Sequence, residues 1–167
     1  MIQKKLGFTL IELLISIVII GILANIGLNT FTSAQVKSRD AKRKAHLKQL
    51  ADAFEAYFND NKRYPESNEA GQIMACGPGY NDSCAWGQSS FQSPEGAVYM
   101  IKLPADPTQG LNYHYASLNH GAKFQLYSYL ENNQDPSIMA LTGPNCGAKT
   151  CNYGVSSSNI LPQTGRE

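Results

Sequence analysis

Residues 7–28, GFTLIELLISIVIIGILANIGL, form an apolar run with one carboxylate, Glu12, near its start. Residues 13–28 carry no charge. The roughly 21 residues from Phe8 onward are enough, at about 1.5 Å per residue, to cross a hydrocarbon core about 30 Å thick. A carboxylate at mid-bilayer costs about 2.5–3.5 kcal/mol, so it is kept where it has a partner or a function. Any fold for this chain has to house that run and account for Glu12.

Only seven residues, MIQKKLG, precede the run, and they include Lys4 and Lys5. A secretory signal peptide would need a small-residue cleavage site after the apolar stretch, and Ala24-Asn25-Ile26-Gly27 is a poor one. An uncleaved signal anchor is the plain alternative. Lys37, Arg39, Lys42, Arg43, Lys44 and Lys48 follow the run, opposed locally only by Asp40. By the positive-inside rule alone, this cluster would argue against export of the C-terminal side.

The residues Lys5-Leu6-Gly7-Phe8-Thr9-Leu10-Ile11-Glu12 and the apolar run behind them resemble the processing site of type IV pilins and type II secretion pseudopilins. Three features coincide: a short basic leader, Gly-Phe at the junction, and Glu five residues into the mature chain. The resemblance implies cleavage after Gly7 by a prepilin peptidase and N-methylation of Phe8. It covers residues 1–64 well and the remainder in fragments. One departure is Asn29, where the family often has a helix-bending Pro, although Gly21 and Gly27 remain as weak points.

Cleavage would expose an amine at Phe8 with a reference pKa near 7.7–8.0, largely cationic at neutral pH. In a staggered stack of parallel helices, that amine can meet Glu12 of a neighbouring subunit. Losing either partner would leave an unpaired charge in an apolar bundle, at a cost of several kcal/mol. Glu12 is thus expected to set the register of assembly. The alternative is a carboxylate that snorkels to the headgroups.

The helical pattern continues past Leu28. Val36, Leu47, Leu50, Ala51, Phe54, Tyr57 and Phe58 recur at helical spacing, with Arg43, Lys44, Lys48, Asp52 and Glu55 assigned to other faces. Asn59-Asp60-Asn61 and Tyr64-Pro65 supply the stop. A helix over residues 8–59 would be about 78 Å long; two helices hinged near residues 27–29 are the alternative.

Beyond Pro65 the composition shifts to Gly, Ser, Asn, Pro and Tyr. Residues 66–96 read as a long loop, and residues 97–103 as either a short strand or a helical turn. Leu103-Pro104-Ala105-Asp106-Pro107 reads as a turn. Residues 111–115 and 124–130 read as antiparallel strands joined across Asn119-His120-Gly121. The Pro-x-Asp-Pro and Gly-x-x-Tyr-x-Tyr segments are similar to the post-helix region of many pilins and major pseudopilins.

The expected class is therefore α+β: a long N-terminal helical spine, half membrane and half amphipathic, packed on a small antiparallel β-sheet head. The expected divisions are a leader at 1–7, a transmembrane and assembly helix at 8–29, and an amphipathic half-helix at 30–64. A β-rich head follows at 65–153 and a flexible tail at 154–167.

Charged residues make up 16% and hydrophobic residues 43% of the chain, which excludes both a disordered and a wholly apolar protein. A formal charge of +1 offers no overall field for nucleic acid. The basic run at 37–48 alone would give weak, salt-sensitive binding. It is assigned instead to a headgroup-proximal patch, or to pairing with Asp52, Glu55 and Asp60 of adjacent helices.

His46, His114 and His120 are scattered and share no metal-ligand spacing. No nucleophile motif such as Gly-x-Ser-x-Gly occurs, so an enzyme is not expected. Cys76, Cys84, Cys146 and Cys151 all follow the apolar run; if that side is exported, disulfides are favoured over zinc. Three pairings are open. Cys76 with Cys84 and Cys146 with Cys151 is preferred, because short loops rich in Gly, Asn and Asp close without strain.

Major pseudopilins often hold calcium in a loop near the C-terminus. The only acid cluster of that kind here is Glu131-Asn132-Asn133-Gln134-Asp135. Two carboxylates are few for six to eight ligand positions, so a solvated turn is preferred and no other cofactor is expected. Leu161-Pro162-Gln163-Thr164-Gly165 matches the sorting signal of sortase substrates. The hydrophobic segment and basic tail usual after that signal do not follow, so an inert tail is expected.

The function expected is that of a structural subunit of a type IV pilus-like filament. Its partners would be further copies of itself in a helical filament, the prepilin peptidase, the membrane and the pilus assembly platform. It would be a single-pass cytoplasmic membrane protein before assembly and an extracellular filament afterwards. A type II secretion pseudopilin is the second reading. A signal-anchored exported binding domain that never polymerises is the third.

Overall fold

The computed structural model describes residues 7–76 and 82–163, without the side chains of residues 25–29. Among the described residues one helix, α1 (Leu10–Asn61), is followed by ten short strands. The chain divides into two units, Met1–Lys37 and Ser38–Glu167.

In the first unit the backbone is helical through Asn29, where the family often has Pro. Apolar side chains at Leu10, Ile11, Leu14, Val18 and Ile22 are all exposed in the isolated chain.

In the second unit, the apolar stripe of α1 becomes a core. Leu47, Leu50, Phe54 and Tyr57 are buried against Ile73, Phe91, Leu103, Tyr115, Phe124 and Leu126. Phe54 lies at the centre of an aromatic cluster, its ring 4.6 Å from Tyr115, 5.3 Å from Phe124 and 5.6 Å from Phe91. Arg43 was expected on a face away from the apolar stripe. It is fully buried, one turn before Leu47 on the packed side of the helix. The helix stops where Lys62 enters the left-handed region (φ 59°), its N–H closing back on the Phe58 carbonyl at 2.8 Å.

The main sheet has the order β10-β7-β6 and is antiparallel throughout. β6 (His114–Leu118) and β7 (Lys123–Ser128) are the expected pair, with His114 opposite Tyr127 and Leu118 opposite Lys123. Their turn places Asn119, His120 and Gly121 all at positive φ. A Cβ on Gly121 would lie 2.6 Å from the Tyr64 carbonyl oxygen. Glycine is therefore needed where this turn touches the chain leaving the helix.

β10 (Tyr153–Ser156) forms the other edge, with Tyr153 opposite Ser128 and Ser156 opposite Gln125. This corrects the tail boundary: residues 154–156 are sheet, and Ser157 is buried, its hydroxyl accepting the Phe124 N–H. A four-residue strand of Tyr, Gly, Val and Ser has too little alternation to announce itself.

The expected loop at 66–96 also contains strands. β1 (Glu66–Ser67), β2 (Ile73–Cys76) and β3 (Asp82–Ser83) form a second antiparallel sheet. β4 (Phe91–Gln92) pairs with β5 (Val98–Met100), which settles the ambiguity at 97–103 as a strand. Strands of two residues cannot show a period of two. β8 (Asn145–Cys146) and β9 (Lys149–Thr150) make a last hairpin.

Two disulfides fasten these small elements. Cys76 joins Cys84 and Cys146 joins Cys151, each with Cα atoms 5.2 Å apart. A bridge closing a loop this short is worth about 2–3 kcal/mol, chiefly through the unfolded chain. Thiol titration of the denatured, unreduced protein is expected to find no free cysteine, and reductant is expected to lower the melting temperature by several degrees. Four titratable thiols in protein taken from its native compartment would contradict the pairing.

Candidate assembly site

Gly7 and Phe8 lie just before α1, separated from it by Thr9, and Phe8 is 85% exposed. Lys4 and Lys5 of the leader lie outside the described residues. A Cβ on Gly7 would meet nothing within 4 Å. Packing within the subunit therefore does not call for glycine there.

The first turn holds Glu12 in a reciprocal arrangement. The Thr9 N–H and hydroxyl donate to Glu12 Oε2 at 2.8 and 2.7 Å, while the Glu12 N–H donates to Thr9 Oγ1 at 3.3 Å. This is a capping box, which satisfies donors that a helix N-terminus otherwise leaves open. Thr9 was missing from the sequence reading, although the signal, Thr-x-x-Glu before an apolar run, is present. The box holds the carboxylate against the Thr9 N–H, in the peptide that follows Phe8. A carboxylate there is also favoured by the positive end of the helix dipole.

Among the described residues no helix is long and apolar enough to cross a membrane. Continuous description of the apolar side chains ends at Ala24, and residues 25–29 of the expected membrane segment lie outside it.

The basic run divides in two. Lys37, Lys42 and Lys48 are exposed. Arg39, Arg43 and Lys44 pair with acids of their own chain. The Arg43 guanidinium forks onto Asp106, with Nε to Oδ2 and Nη2 to Oδ1 both at 2.8 Å. It also reaches Asp40 and Glu131, each at 2.7 Å. Arg39 Nε donates to Glu131 at 3.0 Å, and Lys44 Nζ to Asp135 at 2.7 Å. Asp106 thus ties the Pro-x-Asp-Pro turn to the helix, a role its sequence did not reveal.

Burial alone would depress ionisation of Arg43, but Asp106, Glu131 and Asp40 outweigh it and hold the guanidinium charged. The hydrogen bond from Arg39, with Thr108 and Arg43 adding to it, lowers the Glu131 carboxyl to about 2 from an ordinary 4.5. A carboxyl depressed in the fold contributes stability that is present above its unfolded value and lost as pH falls toward the folded value. The melting temperature is therefore expected to drop between about pH 4.5 and about pH 2, and Glu131→Gln is expected to flatten that slope. Thermal unfolding followed through Trp86 fluorescence measures both.

The histidines do not converge. His46 Nδ1 lies 2.7 Å from the Tyr113 hydroxyl, and burial lowers its pKa. His114 is buried with Nδ1 3.2 Å from the Asn145 carbonyl, while His120 sits in the β6–β7 turn. Near the C-terminus, the Gln125 side chain donates to the Leu161 carbonyl at 2.8 Å and the Tyr127 hydroxyl to that of Pro162 at 2.9 Å. Thr164 and Gly165 of the pentapeptide lie outside the described residues.

Comparison with known proteins adds to this geometry. Residues 2–24 match the prokaryotic N-terminal methylation motif. Residues 30–137, well over half of the chain, match the type II secretion system protein G family. The type IV major pilin protein PilA of Myxococcus xanthus is 42% identical over 93 residues, covering 54% of this chain and 42% of that protein. The type II secretion system core protein G of Pseudomonas aeruginosa is 31% identical over 126 residues, covering 75% of this chain and 83% of that protein. Its Klebsiella pneumoniae counterpart is 29% identical over 126 residues, covering 75% and 84%. No solved structure matches the chain. With a methylation motif at residues 2–24 and the protein G pattern from the second half of α1 through β7, the chain belongs to the pilin and pseudopilin family of structural filament subunits.

Proposed function

We propose that this subunit is held in the membrane by residues 8–29, cut after Gly7 by a prepilin peptidase and methylated at Phe8. It then polymerises through its N-terminal helix into a type IV pilus-like filament, as a structural protein and not an enzyme. The observation that carries the reading is the first turn of α1, where the Thr9–Glu12 box presents a carboxylate beside an exposed Gly-Phe junction. In that position Glu12 can receive the amine of a neighbouring Phe8. The exposed apolar side chains behind it supply the surface for helix packing. Glycine at position 7, unneeded for packing, suits recognition by a peptidase.

The protein G match over residues 30–137 favours a second reading, in which the same polymer is the pseudopilus of a type II secretion system. Deleting the gene in its host separates the two. Loss of surface filaments recovered by shearing, with exoprotein export intact, supports the pilus. Blocked export without loss of surface filaments supports the pseudopilus. A deletion that changes neither, with the subunit found only as a monomer in the membrane, contradicts both and leaves the non-polymerising anchored domain.

A further inference from the structure

The loop at 131–135 is where the family resemblance implies calcium, and its carboxylates do not fit that ion. Every oxygen of the four acids around the loop already has a donor from the chain. Asp40 Oδ1 takes Arg43 and the Glu131 N–H, and Oδ2 takes the Asn132 N–H at 2.8 Å. Asp106 takes the fork of Arg43 and the Thr108 N–H. Glu131 takes Arg39, Arg43 and the Thr108 hydroxyl. Asp135 takes Lys44 on both oxygens and the Ser137 N–H on one.

The centre of this group is filled by a guanidinium with no exposed surface, against Asp106 with none and Asp40 with 3%. Calcium would need six to eight oxygens at about 2.3–2.6 Å around a common point, whereas Arg43 already holds Asp40, Asp106 and Glu131, and Lys44 holds Asp135. Three fixed cations face four carboxylates, so the electrostatic demand for a further divalent ion is small.

We propose that Arg43 is a resident cation that ties the turn at 104–108 and the loop at 131–135 to α1, making the fold of Ser38–Glu167 independent of divalent metal. The planar fork is what lets one side chain bond three acids together; an ammonium in its place would keep the charge and lose the bidentate geometry. Its consequence is a subunit whose stability does not follow calcium outside the cell. The inference holds whether the polymer is a pilus or a pseudopilus.

The test uses the full-length protein in detergent micelles, with thermal unfolding read by Trp86 fluorescence in excess EGTA and in excess calcium chloride. The expected result is the same melting temperature in both and no saturable heat on titrating calcium. Arg43→Gln, which leaves buried carboxylates unpaired, is expected to melt roughly 6–20 °C lower. Arg43→Lys is expected to fall between the two and to remain indifferent to EGTA, and it serves as the readout if the Gln variant does not fold. A wild-type melting temperature raised by calcium or lowered by EGTA would overturn the proposal, as would an Arg43→Lys protein as stable as wild type.

Discussion

Glu12→Ala and Glu12→Gln are both expected to impair assembly severely while leaving the subunit in the membrane. Neither substitution removes apolar surface, so insertion of residues 8–29 is unaffected. Both remove the charge that meets the neighbouring amine, at a cost of several kcal/mol in an apolar bundle. Each 1.4 kcal/mol is a factor of ten in an association constant, so filament yield should fall by at least about tenfold. The pair is informative because of Thr9. Gln can still complete the capping box through its carbonyl oxygen, so it spares the helix start and deletes only the charge. A blot of sheared filaments beside one of the membrane fraction reads the result. Normal filament yield from Glu12→Gln would reduce Glu12 to a helix cap, and normal yield from both would leave it a snorkelling acid.

The second large effect belongs to Phe54. Its ring has no exposed surface and meets Phe91, Tyr115 and Phe124, so truncation empties the centre of the core. Phe→Ala at such a site costs about 3–5 kcal/mol, transfer and cavity terms together. For a protein of this size that corresponds to a melting temperature roughly 6–20 °C lower. Leu161→Ala removes an apolar side chain that is 62% exposed and serves as the control. Equal melting of the Phe54 and Leu161 variants would show that the α1 stripe does not organise the sheet.

The parts of this structure that could be read in the sequence are those with a long period or a tight local signal. Leu47, Leu50, Phe54 and Tyr57 repeat over three turns and form the expected stripe, and the strand pair expected at 111–115 and 124–130 is found, shifted, at His114–Leu118 and Lys123–Ser128. Strands of two residues, such as Glu66–Ser67 and Phe91–Gln92, are too short to carry a period of their own, even though their partners β2 and β5 follow closely in the chain. The same reason hid β10, whose pairing to β7 draws the chain back from a presumed tail.

Arg43 failed differently. As a charged residue it was assigned to a face away from the apolar stripe, whereas its burial depends on Asp106 and Glu131, 63 and 88 residues away in sequence. Only the fold brings those acids to the helix. Its neighbours Lys42 and Lys48 obey the rule and are exposed. Thr9 could have been found, since Thr-x-x-Glu ahead of an apolar run is a capping signature. Glu12 drew attention as a charge in lipid and obscured its simpler local partner.

The central claim is that residues 1–7 are a leader and that the working subunit begins at the amine Glu12 is meant to meet. Mass spectrometry of the N-terminal peptide, from subunit isolated from cells that express it, tests this directly. The expected result is a chain beginning at Phe8 with one methyl group on its amine. A chain beginning at Met1, or one cut near Asn25 behind the apolar run, would contradict it.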